Sequence, residues 1–288
     1  METTEKYVKM PDALIYTQAA GLSQRGTILL SMGATASMAW WPTDFIEALA
    51  DAGYRVISFD QRDTGRSTHS APGMPPYDVP DLVEDVIGIL DAYEVSSAHL
   101  MGMSLGGLVS QIAALKHPER VATITLFAAE PLNNTYDGEG IPAEMMEHFG
   151  GIGTLDWTSR KDVTRFLLRI AELSTASSRR FDREAALDRI GRELDQTSDI
   201  RAAFNHAMLQ GKIDPSLDAK DIIQPTLIIH GEADPLISVA AANKTSELVQ
   251  NAELVVLEDV GHEFTPAEVP PILKAIVGFI ENATKEHA

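Results

Sequence analysis

One serine in this chain stands where a hydroxyl becomes a nucleophile. Ser104 is the centre of Gly102-Met103-Ser104-Leu105-Gly106, with Gly107 next. An apolar run over residues 97–103 ends at it, and a helix-period run over residues 105–117 begins after it. A serine on a sharp strand-to-helix turn takes a strained backbone conformation, so the residues two before and two after must be small. The turn lifts the hydroxyl clear of the sheet, and the new helix aims its amides at charge developing there. The bare pattern arises by chance about 0.1 times in a chain of this length, so the strand–turn–helix setting carries the weight. The plain alternative is a glycine packing contact around a buried serine.

A serine needs a base, and the base needs an orienting acid; after such an elbow they follow in the order serine, acid, histidine. Residues 226–235 read TLIIHGEADP, which places Asp234 in the loop after a buried strand. Residues 254–257 form a last strand, and EDVGHE after it places His262 in its loop. Both loops reach the sheet edge that carries Ser104. Seven other histidines compete for the base. His99 lies inside a strand, His117 ends a helix, and His230 ends the strand before Asp234 and reads as packed. His69 and His287 sit in a polar loop and at the terminus, while His148 and His206 fall in a helical segment where they line a pocket or are structural. His262 is favoured by position. For Asp234 the alternative is a turn aspartate before Pro235. Glu130, after the strand at 121–127, is the reserve acid, and Glu232 and Asp259 are weaker ones.

Ester cleavage also needs donors for the tetrahedral oxyanion. One is the backbone N–H of Leu105, directly after the nucleophile. The other is expected from the loop after residues 27–32, where Gly33 permits a tight turn that presents the Ala34 amide. Two such donors are each worth roughly 3 kcal/mol in the transition state. The segment 60–67, DQRDTGRS, reads as a hydrogen-bonded loop that braces the site rather than one that touches substrate. Trp40 and Trp41 wall the pocket or join the core, the commoner fate of tryptophan.

The elements that must position these loops follow from hydropathy. Strands are expected at 27–32, 54–59, 97–103, 121–127, 226–230 and 254–257. They alternate with helices after Pro42, over 81–93 and 105–117, from Val239 and from Pro270. That alternation implies a mostly parallel sheet covered on both faces, with ligands at the carboxyl ends of its strands. Segments around 7–9 and 13–17, joined by Pro11-Asp12, form an edge hairpin. The stretch 130–221 breaks the rhythm. It opens with turn residues, then places Val163, Phe166, Leu167, Ile170 and Leu173 on one helical face and Ile200, Phe204, Ala207 and Met208 on another, with a charge-dense helix at 179–195 between them. The organisation is therefore an α/β core over residues 1–129 and 222–288, with residues 130–221 inserted as a helical cap.

Composition narrows the chemistry. The 288 residues hold no cysteine, which excludes disulfides, thiol nucleophiles and cysteine-ligated metal. The formal charge of −19 opposes nucleic acid and anionic membrane surfaces as partners. No phosphate-loop, dinucleotide, zinc-protease or EF-hand motif occurs, and nothing calls for a cofactor or metal. The amino terminus lacks the apolar stretch of a secretory signal, and the longest apolar run, 100–115, falls short of a bilayer span, so a cytoplasmic place is expected. The charge predicts solubility, and a monomer or homodimer is expected.

These residues resemble the α/β-hydrolase superfamily over nearly the whole chain apart from the cap. Gly102-Met103-Ser104-Leu105-Gly106 looks like its nucleophile elbow, Gly231-Glu232-Ala233-Asp234-Pro235 its acid loop and Gly261-His262 its histidine loop. A serine at 104 argues against the dehalogenase and epoxide-hydrolase branches, which use aspartate there. The run 60–67 and Met32-Gly33 are similar to the anthracycline methylesterases, which hydrolyse a methyl ester on a polyketide-derived aglycone; Gln61 and Ala34 depart from the histidine and glycine of that subgroup. The reading is a cofactor-free serine hydrolase acting on a carboxylic ester, and the apolar cap faces suggest a medium-sized hydrophobic acyl or aglycone group over a small leaving alcohol. C–C bond hydrolysis or perhydrolysis with the same triad, and ligand binding without catalysis, are the rival readings.

Overall fold

The computed structural model describes residues 3–138, 140–209, 211–263 and 265–286, so His287 lies outside the described residues. Eight strands form one sheet: β1 (Thr3–Lys9), β2 (Leu14–Ala20), β3 (Thr27–Ser31), β4 (Arg55–Phe59), β5 (Ala98–Met103), β6 (Val121–Phe127), β7 (Thr226–Gly231) and β8 (Ala252–Leu257). Their spatial order is β1-β2-β4-β3-β5-β6-β7-β8. β2 runs antiparallel to β1 and β4, which makes the expected edge hairpin, and every pair from β4 to β8 is parallel.

Strand side chains alternate faces, and here both faces are apolar. Leu29, Ile57, Leu100, Ile124 and Ile228 face one way, packing with α2 (Val79–Ala92), α3 (Leu105–Lys116) and α8 (Val239–Leu248). Ile28, Leu30, Val56, Met101, Leu227 and Ile229 face the other, under α1 (Thr43–Asp51) and α9 (Val269–Glu286). α2 begins two residues before the expected start, because Asp78 and Asp81 close a reciprocal capping box with Pro80 in the first turn. Among the described residues no helix is long and apolar enough to cross a membrane.

Between β6 and β7 come α4 (Ala143–Gly150), α5 (Arg160–Ser174), α6 (Arg183–Gln196) and α7 (Ile200–Ala203). They share a small core in which Val163, Phe166 and Leu167 of α5 meet Ala186 and Ile190 of α6 and Ile200 and Ala203 of α7. The face expected from Ile200, Phe204, Ala207 and Met208 does not form. After α7 the chain tightens into a 3₁₀ turn over Phe204–Met208, and at three residues per turn the inward side shifts. Asn205 and His206 become buried while Ala207 and Met208 face solvent.

The chain runs from β3 out to β4 and then returns past β3 to β5, so the order reverses around β3. A crevice opens beyond the strand ends at such a reversal. Ser31 pairs with Gly102 in register, which sets the loop after β3 directly beside the loop after β5.

Candidate active site

Ser104 occupies the turn between β5 and α3 with φ 50° and ψ −113°, a left-handed conformation rare for a residue with a side chain. A backbone of this kind costs about 1–3 kcal/mol and persists only when its surroundings over-determine it. They do so here. The Ser104 N–H donates to the Phe127 carbonyl at 2.9 Å, and its own carbonyl accepts from the Gly107 and Leu108 amides at 2.9 and 3.1 Å. The glycines are required by close approach: a Cβ on Gly102 would strike the Gly106 carbonyl, one on Gly106 would strike the Ser31 carbonyl, and one on Gly107 would lie 2.5 Å from the Ala129 Cβ. The packing-contact alternative for this motif therefore holds for the glycines, while Ser104 itself stays partly exposed.

Asp234 and His262 meet as the sequence order anticipates. His262 Nδ1 lies 2.8 Å from Asp234 Oδ2. The other carboxylate oxygen, Oδ1, accepts from the Leu236 and Ile237 amides at 2.8 and 2.9 Å. The turn aspartate and the imidazole partner are thus one residue, with a separate oxygen for each task. The Asp234 side chain is fully buried, and that of His262 is 13% exposed, which leaves an imidazole edge open. His230 packs beneath the pair; its Nε2 donates to the Ile237 carbonyl at 2.7 Å and lies 3.5 Å from Asp234 Oδ2, while burial pushes its pKa down.

Glu130 is not part of this arrangement. It accepts the Tyr136 hydroxyl at 2.7 Å, and the two line a cavity of about 440 Å³ together with Leu108, one turn along α3 from Ser104. The remaining histidines are engaged elsewhere. His99 is buried against Thr123 with its pKa pushed down to about 4 by burial, His117 meets Glu84, His148 bonds the Phe166 carbonyl and His69 meets Ser198.

The loop after β3 lies against Ser104: a Cβ on Gly33 would sit 3.4 Å from the Ser104 Cβ. Among the described residues, neither the Ala34 nor the Leu105 amide donates to a protein acceptor. The segment 60–67 braces this loop, as its composition indicates. Gln61 Nε2 donates to the Met32 carbonyl at 2.7 Å, and Asp60 accepts from the Met38 and Arg66 amides at 3.0 and 2.8 Å. Burial pushes the Asp60 carboxyl up to about 6. Arg62 anchors the segment from below through two bonds to buried Asp85, 2.7 and 2.9 Å, and one to Asp12. Trp41 is a core residue between Phe45 and Phe127, whereas Trp40 lies under the Arg189 guanidinium of α6.

Sequence reasoning missed the buried charges Arg189 and Glu193 of α6 and their partners, and it left His206, in the turn after α7, as either pocket-lining or structural. Arg189 Nη2 pairs with Glu263 Oε2 at 2.7 Å beside His262, whose own N–H donates to the Ser174 carbonyl at the end of α5 at 2.9 Å. Glu193 accepts from Ser37, and His206 accepts from Thr35. One signal for them was present. Ala186, Arg189, Ile190 and Glu193 recur at helical spacing on the buried face of α6, and charge on a buried face demands a partner. Among the described residues no group of three His, Asp or Glu side chains is placed to hold a metal ion.

Residues 26–265 match the family described as the alpha/beta hydrolase fold. Rhodomycin D methylesterase DauP of Streptomyces sp. (strain C5) is 27% identical, over 97% of this chain and 99% of its own. Rhodomycin D methylesterase DnrP of Streptomyces peucetius is 25% identical, over 95% and 97%. The esterase RhEst1 from Rhodococcus sp. ECU1013 superposes with a TM-score of 0.75 at 24% identity, covering 98% of this chain and 99% of that one.

Proposed function

The chain belongs to the alpha/beta hydrolase fold family, and from that premise we propose that it is a serine hydrolase cleaving a carboxylic ester through an acyl-enzyme. The observation that carries the reading is the 2.8 Å contact of His262 Nδ1 with Asp234, on loops at the same sheet edge as the strained Ser104. With Nδ1 committed to the carboxylate, Nε2 is the nitrogen left to take the Ser104 proton. Ser104 Oγ attacks the acyl carbon, and the Ala34 and Leu105 amides receive the oxyanion. The C–O bond then breaks and His262 returns its proton to the departing alcohol. Water, deprotonated by the same imidazole, attacks the acyl carbon; the bond to Ser104 Oγ breaks, His262 returns the proton to Oγ, and the carboxylic acid leaves. Asp234 fixes the imidazole and stabilises its charged form without itself taking a proton.

Residues 130–221 act in this reading as the cap over the strand ends, on a core of residues 1–129 and 222–288. The names of the two methylesterase relatives favour a methyl ester as substrate, and the resemblance to the anthracycline methylesterases adds a bulky, polyketide-derived acid. The test compares wild type with Ser104→Ala on p-nitrophenyl acetate and on methyl esters of polycyclic aromatic acids. Loss of nearly all turnover in a folded Ser104→Ala supports the reading. Equal rates in both proteins would sink it. Turnover confined to small acyl groups would sink only the bulky-acid assignment.

A further inference from the structure

The loop at residues 32–38 is held at four points, and they divide between two parts of the chain. Its ends belong to the core: Gln61 bonds the Met32 carbonyl, and Asp60 bonds the Met38 amide. Its middle belongs to the inserted helices. The Thr35 N–H donates to His206 Nδ1 at 3.0 Å. The Ser37 N–H and hydroxyl both donate to Glu193 Oε2, at 3.1 and 2.5 Å.

Thr35 has φ 65°, a left-handed conformation that a β-branched residue avoids, one position after the Ala34 amide. Such a conformation persists when contacts over-determine it. His206 supplies one, and its own ring is fixed: Nε2 donates to the Arg62 carbonyl at 2.8 Å, so the imidazole is neutral with its hydrogen on Nε2 and Nδ1 free to accept. The neighbouring Asn205 locks the turn by donating to Asp63 and accepting from Gly73. His206, Ser37 and Glu193 are all buried, so water does not compete for these bonds.

We infer that His206 and Glu193, from the inserted segment, are positioning residues that hold the loop after β3 in the shape presenting its Ala34 amide beside Ser104. This rests on the reading that the loop receives the oxyanion. The core alone clamps the loop at its two ends, and the Ala39 and Trp40 amides tie Ser37 to the turn that follows; the Thr35 N–H and the Ser37 N–H and hydroxyl take their acceptors from the inserted helices. The inserted helices therefore do more than cover the substrate: they complete the electrostatic half of the site.

The test measures two rates on the full chain: labelling of Ser104 by a fluorophosphonate, which needs the same oxyanion donors, and kcat and KM for p-nitrophenyl acetate. His206→Leu removes both bonds at similar volume, and we expect both rates to fall about tenfold or more with KM little changed. His206→Gln keeps one acceptor and one donor at similar spacing and is expected to recover most of the rate. A folded His206→Leu that labels at the wild-type rate overturns the inference, as does an equal loss in His206→Leu and His206→Gln. If His206→Leu does not fold, Glu193→Leu, which removes the acceptor of both Ser37 bonds, replaces it; about a threefold or greater fall in labelling supports the inference and an unchanged rate overturns it. Failure of the wild type to label at Ser104 would instead remove the serine-hydrolase reading and this inference with it.

Discussion

Replacing Glu193 by glutamine removes a titrating group from a site where burial, outweighing the two bonds from Ser37, pushes the carboxyl from an ordinary 4.5 up to about 7. Below pH 4.5 the group is protonated in both the folded and the unfolded chain and contributes no pH dependence. Between pH 4.5 and 7 the unfolded chain has released the proton and the folded chain still holds it, so folded stability falls as pH rises. Each pH unit in that window is worth about 1.4 kcal/mol, which gives about 3 kcal/mol across it. Above pH 7 both states are ionised and the loss is complete. Glu193→Gln does not titrate, so its stability relative to wild type should climb by about 3 kcal/mol from pH 4.5 to pH 8. Any constant cost of the amide cancels in that difference. Urea unfolding of both proteins at half-unit pH steps measures it. Two stability curves that run parallel within about 0.5 kcal/mol would refute the buried, high-pKa carboxyl.

Three further outcomes follow from the geometry. Asp234→Asn keeps an acceptor for the Leu236 and Ile237 amides but loses the charge that holds the His262 tautomer; ester kcat should drop about 10³–10⁴-fold with a melting temperature close to wild type. Gly102→Ala drives a methyl into the Gly106 carbonyl and should yield little soluble protein, whereas Gly153→Ala, with nothing near its Cβ, should express normally. Arg62→Met leaves Asp85, 2% exposed, without its two bonds, so stability at pH 7 should fall by about 3–5 kcal/mol by urea unfolding. Stabilities within about 1 kcal/mol of wild type would show that Asp85 finds another partner.

The elbow is legible because its constraint is local. Small residues at 102 and 106 follow from the path of a strand that turns directly into a helix; a Cβ at 102 would meet Gly106 four positions on, while one at 106 would meet the Ser31 carbonyl of the adjacent β3. Strand–helix alternation is legible for the same reason, since a strand covered on both faces needs an apolar centre, as Ile28–Leu30 of β3 and Leu227–Ile229 of β7 provide. Asp234 and His262 were placed by their loops, but not by geometry: Glu130 sits after a neighbouring strand just as plausibly, and only the fold turns it toward Tyr136.

The clamps on the loop after β3 lie beyond that reach. His206 meets Thr35 across 171 positions and Glu193 meets Ser37 across 156. No periodicity encodes such pairs, and the 3₁₀ turn that aims His206 inward contradicts the helical face its neighbours imply. By itself the sequence determined the strand–turn–helix elbow around Ser104, the loops that carry Asp234 and His262, and the layered sheet that gathers them, because each rests on patterns within a few residues. Tertiary structure alone decided which carboxylate meets the imidazole and that the inserted helices brace the Ala34 loop. Those outcomes depend on where distant buried polar groups find partners, and burial makes that pairing obligatory without marking it in the chain.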